Sequence, residues 1–147
     1  MLIPLAADEY EEWSIVMSWT SLVENPEGIA SVFSGAVPPL SDVRIHSVAL
    51  DRDGPQLRVR FDLREYPERA PKKWAAQRFN TVQVELVFGG LSDVELSGFS
   101  VAPVGDIVLT SGEKVHLEIA STDVRVRASA QSVYISKLSA YMDEPRG

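Results

Sequence analysis

The chain has 147 residues, the size of one ordinary domain, with 45% apolar and 24% charged residues, a balance that excludes a disordered, collagen-like or coiled-coil chain. Cysteine is absent, which removes thiol chemistry, disulfides and every cysteine-based metal site. The net charge of −7 is uneven: residues 1–30 hold six acids and no base, and residues 58–78 hold seven bases against three acids.

The N-terminus is apolar for only seven residues and lacks a basic start, so it does not read as a signal peptide. With no apolar run of membrane-spanning length, the expectation is a cytoplasmic protein without membrane contact. Residues 1–16 read as an acidic extension, carrying Asp8, Glu9, Glu11 and Glu12, and residues 17–147 as a single β domain. Tyr10, Trp13, Val16 and Met17 would share one face of a short helix over 8–19, a segment that reads equally as a loosely held arm. The next helix is better marked, over about 26–34. Asn25 is suited to its N-cap, Pro26 to its first position, and Gly35 to a left-handed end.

From residue 43 the period changes to two. Leu57, Val59, Phe61 and Leu63 alternate with Arg58, Arg60 and Asp62, and Val82, Val84, Leu86 and Phe88 with Thr81, Gln83 and Glu85. The same alternation marks strands at 114–119 and 124–127, with weaker ones at 43–50, 93–99, 104–110 and 132–141. Turn chemistry separates them at Asp53-Gly54-Pro55, Gly89-Gly90, Ser111-Gly112 and Ser121-Thr122-Asp123. Short connections between half-buried strands mean antiparallel pairing. The predicted fold is mainly β: an antiparallel β-sandwich or one strongly curved antiparallel sheet of about eight strands, with a short N-terminal helix.

The sequence shows no catalytic constellation, cofactor site or metal site. His46 and His116 lie on predicted strands without acids at ligand spacing. Asp51-Arg52-Asp53-Gly54 starts like a calcium loop, but glycine comes two positions early, so it reads as a hairpin turn. Gly98-Phe99-Ser100-Val101-Ala102 imitates a nucleophile elbow, yet Pro103 and a strand follow where a helix is required.

The connection 64–79 is too long for a plain hairpin, and long ordered loops carry function more often than short ones. In it Lys72, Lys73, Trp74 and Arg78 interleave charge with an aromatic ring, the ingredients of a single-strand nucleic-acid platform. The overall negative charge argues against nucleic acid. Phe79, next to a strand, reads as a core anchor, whereas Trp74 fits a core anchor and a partner contact equally well.

At this loop the sequence resembles the immunity protein 50 family of bacterial polymorphic toxin systems. The resemblance is carried by Phe61-Asp62-Leu63, Tyr66-Pro67, Pro71, Lys73-Trp74 and the run Phe79-Asn80-Thr81-Val82-Gln83-Val84-Glu85-Leu86. Trp19, Asn25-Pro26 and the Leu50, Pro55, Leu57 hairpin also fit its layout, so it covers roughly residues 17–142. It implies a small cytoplasmic protein, mostly β, that binds and neutralises a cognate toxin without catalysis. The expected state of the chain itself is a monomer or weak homodimer. The residues expected to meet that partner are Lys72, Lys73, Trp74 and Arg78, with Asp8, Glu9, Glu11 and Glu12 steering a basic toxin toward them. The alternative is a small hydrolase, or a β domain that binds single-stranded nucleic acid or another ligand through the basic aromatic loop.

Overall fold

The computed structural model describes residues 19–144. The segment 8–19, expected as a short helix or a loosely held arm, lies outside these residues except for Trp19, which opens a 3₁₀ turn, Trp19–Leu22. The buried Trp19 ring donates from Nε1 to the Pro38 carbonyl at 3.0 Å, pinning this segment to the connector that leads into the sheet.

Helix α1 (Glu27–Val32) follows, shorter than its sequence pattern suggests. Its end is as expected: Gly35 takes φ +85° and donates to the Ala30 carbonyl at 2.8 Å. Its start differs. Pro26 occupies the cap position with no side-chain cap bond. The Asn25 amide turns away to the sheet, where Nδ2 donates to the Ile135 carbonyl at 2.9 Å and Oδ1 accepts from the Ile135 N–H at 2.8 Å. A two-point bond to one backbone residue outcompetes a single cap bond.

Eight strands make up the rest: β1 (Val43–Asp51), β2 (Gln56–Asp62), β3 (Thr81–Gly89), β4 (Asp93–Ser97), β5 (Val104–Ser111), β6 (Val115–Ser121), β7 (Arg125–Ala130) and β8 (Ser132–Tyr141). Each falls where the period-two pattern puts it, although β4 stops at Ser97 and β7 runs on to Ala130. One helical turn, α2 (Lys72–Ala76), sits in the long β2–β3 connection, where the sequence pattern suggested only a loop.

The strands form one antiparallel sheet in the order β4-β7-β6-β5-β1-β2-β3-β8. Of the two predicted solutions, the chain takes the single curved sheet. The curvature has a local cause. Strands β1 and β5 pair only at Val43↔Gly105 and Arg44↔Val104, so the sheet hinges there into two four-stranded halves. At the far side a two-stranded ribbon crosses between the halves. The ladder of β3 with β8 ends at Gly89↔Ser132, and that of β4 with β7 begins at Asp93↔Ser129, with Gln131 N–H donating to the Gly89 carbonyl at 2.9 Å across the bend.

The halves therefore share one core. Phe61, Leu57, Val84 and Phe88 from one half meet Ile119, Leu117 and Val126 from the other in a single buried cluster. Each such side chain contributes about 1.5–3 kcal/mol by leaving water. Ile29 of α1 and Phe33, the residue that caps its C-terminus, close the cluster. Asn25 and the Glu24 N–H, which donates to the Val133 carbonyl at 2.9 Å, cover the outer edge of β8.

Candidate functional site

The period-two pattern of β2 sends Phe61 inward and Asp62 outward, between Arg44 of β1 and Gln83 of β3. Asp62 is nevertheless fully buried. Four donors surround its carboxylate. Arg44 Nη2 reaches Oδ2 at 2.8 Å, His46 Nε2 reaches the same oxygen at 2.7 Å, and Gln83 Nε2 reaches Oδ1 at 3.1 Å. The Tyr141 hydroxyl donates to Oδ2 as well. Arg44 uses its other arm on Asp143, Nη1 to Oδ2, at 2.8 Å. The Asn80 amide holds Asp143 in place with two bonds of 2.8 Å to its backbone.

Burial pushes the Asp62 carboxyl up, but the hydrogen bonds from Tyr141, His46 and Gln83 outweigh it and hold the group below the usual carboxylate range. Burial and the bond to Asp62 push the Tyr141 hydroxyl up to about 12. Burial opposes the charge of Arg44, yet the bond to Asp143 and the field of Asp62 raise its pKa. An ionised carboxylate only accepts, so Nε2 carries the His46 proton.

His46 is thus hydrogen-bonded to an acid, although none lies at ligand spacing in the sequence. The cause is a bulge: Ile45 pairs with Phe61 and Ser47 with Arg60, leaving His46 as the extra residue, aimed at Asp62. Sequence spacing carries no sign of it. The cluster ties four strands together at one end of the sheet while Arg44 and His46 stay about one-third open to solvent, at 30% and 38%. The shared bonds to Asp62 fix the exposed edges of both side chains at the surface.

His116 occupies a different place. It lies in an open concavity of about 440 Å³ on the outer face of the β5-β6-β7-β4 half, with Asp93, Glu95, Glu118 and Arg127. Its Nδ1 stands 3.0 Å from Ser129 Oγ. Across the sheet the row runs His116, Ser129, Asp93, which puts serine in the middle. A nucleophilic relay needs the imidazole between hydroxyl and carboxylate, so this row is not one. Among the described residues no group of three or more His, Asp or Glu side chains is placed to hold a metal ion. Ser100, from the elbow-like motif, donates to Asp123 Oδ2 at 3.0 Å in a bend with no helix after it.

The long connection presents the loop residues singled out in the sequence. Trp74 is half-buried, packs on the core and meets the Tyr66 ring at 6.3 Å between centroids with a 40° tilt. Lys72, Lys73 and Arg78 around it are exposed. Phe79 is half-buried, and its N–H donates to the Trp74 carbonyl at 3.1 Å, closing the turn. That closure holds Arg78 at φ +58°, a left-handed backbone that costs a non-glycine residue about 1–2 kcal/mol. Asp8, Glu9, Glu11 and Glu12 lie outside the described residues.

No helix among the described residues is long and apolar enough to cross a membrane. A family model described as Immunity protein 50 matches residues 25–141, most of the chain. No curated protein and no solved structure matches it.

Proposed function

Because the chain belongs to the Immunity protein 50 family, we propose that it is a bacterial cytoplasmic antidote that binds a cognate polymorphic toxin and neutralises it stoichiometrically, without catalysis. The family match carries this reading. A rigid sheet with a short exposed cationic turn supports it, because preordered loops on rigid scaffolds lose little entropy on binding. In this reading Trp74 and the exposed Lys72, Lys73 and Arg78 contribute a central contact. Asp8, Glu9, Glu11 and Glu12 raise the association rate with a basic toxin.

The test is titration of a cognate toxin with this chain. Protection should saturate at equimolar amounts, whereas neutralisation by catalytic quantities overturns the reading. Trp74→Ala should weaken the complex by about 2 kcal/mol or more, mainly through faster dissociation. Since Trp74 also packs on the core, reversal of Lys72 and Lys73 to Glu supplies a variant that spares packing. If both variants bind the toxin like the parent chain, the loop is not the contact.

A further inference from the structure

The sheet has two edges, and the chain treats them differently. Its own Glu24 and Asn25 bond the outer edge of β8 at Val133 and Ile135. Among the described residues, nothing hydrogen-bonds the outer edge of β4 (Asp93–Ser97). An open edge offers a row of backbone donors and acceptors to another strand.

Side chains at this edge show what that strand would need. Inward rows read Leu117, Ala128, Val94 and Ile119, Val126, Leu96 as they approach the edge. Leu96 continues a buried apolar row, yet is 48% exposed because its row stops there. Just beyond, Phe99 and Val101 are exposed at 53% and 102%. On the outer side the row Glu118, Arg127, Glu95 alternates in sign and ends on an acid, and the next row ends on Asp93. The residue that extends the two acid-ended outer rows is therefore a cation, the outer row Ala120, Arg125, Ser97 ends on a neutral serine, and the residue that extends each inner row is apolar. A second copy of β4 paired antiparallel about Val94 would set Asp93 against Glu95, and one paired about Glu95 would set that acid against itself, which disfavours self-pairing.

We infer that β4 is a docking edge for a strand of another protein in which Lys or Arg alternates with apolar residues. The added strand gains main-chain bonds for affinity and reads specificity through alternate side chains. This deepens the proposed function by naming the chemistry of a partner element, and it is independent of the Lys72–Arg78 loop.

The probe is a short synthetic peptide alternating lysine with valine, added to the full chain, with an aspartate–valine peptide as control. The lysine peptide should slow amide exchange within Asp93–Ser97 by about tenfold or more, and the control should not. Reversal of Asp93 and Glu95 to Lys, two exposed positions, should abolish that protection and confer it on the aspartate peptide. Absence of protection in β4, protection confined to other strands, or dimerisation of the free chain through β4 overturns the inference. Toxin titration separates the two levels. If the doubly reversed variant neutralises toxin like the parent chain, the edge is not its contact and the immunity reading stands. If the parent chain fails to neutralise, that reading falls while the peptide result still decides the edge.

Discussion

Asp62 concentrates the charge chemistry of the described residues. It lies buried under Arg44, His46, Gln83 and Tyr141, and removing it leaves all four donors without their acceptor. Breaking a fully buried pair costs about 3–5 kcal/mol. Arg44 and His46 reach water here, so Asp62→Ala is expected to cost about 2 kcal/mol at neutral pH. The pH dependence has a definite sign. In the unfolded chain the carboxyl titrates near 4, and in the folded chain lower. The unfolded state thus binds the proton first, and the stabilisation is complete above about pH 4 and lost as pH falls through the folded value. Tyr141 works at the other limit. Its pKa of about 12 in the fold, against about 10 unfolded, makes its contribution complete below about pH 10 and lost from there to about pH 12. Urea midpoints measured across pH should show a flatter acid limb in Asp62→Asn and a flatter alkaline limb in Tyr141→Phe. Limbs parallel to the parent chain would show that these groups do not carry the dependence.

At the scale of elements, two asparagines act as clamps: Asn25 on the backbone of Ile135 and Asn80 on that of Asp143. Each side-chain amide supplies one donor and one acceptor, the pair a neighbouring strand would supply. Asn25→Asp distinguishes this role from helix capping. As a cap, aspartate is about as good as asparagine. As a clamp it keeps the bond from Ile135 N–H but turns a carboxylate oxygen toward the Ile135 carbonyl. The expected result is a loss of about 1–2 kcal/mol and faster amide exchange around Val133–Ile135. Unchanged stability in Asn25→Asp would restore the capping role.

For the whole molecule, the decisive point is the hinge where β1 meets β5. Gly105 sits there opposite Val43, and a Cβ added to it would come within 2.5 Å of the Ala120 carbonyl oxygen and 2.7 Å of the Ser121 Cβ. Both neighbours belong to β6, so neither yields without moving the strand. Gly105→Ala is expected to cost about 1–3 kcal/mol, as overpacking does. Because both halves share one core, its thermal unfolding should remain a single transition at lower temperature. Two separate transitions would mean that the halves fold independently.

The strands, their antiparallel sense and the turns between them were legible in the chain's pattern alone, because alternation of apolar and polar residues is a local property. Leu57 to Leu63 or Val82 to Phe88 can bury one face only as strands. The sequence also marked the left-handed end of α1 at Gly35, since glycine meets no steric penalty there. Contacts between distant segments were decided by tertiary structure. Asn25 could cap a helix or clamp a strand, and the nearness of Ile135, 110 residues on, settled it. A bulge aims His46 at Asp62, and Tyr141, 79 residues from Asp62, joins them. One curved sheet or two packed sheets satisfies the same alternation. The two-residue pairing at Gly105 and the bent ribbon at Gln131 chose between them, because curvature arises from where ladders end and backbones approach, which no local period records.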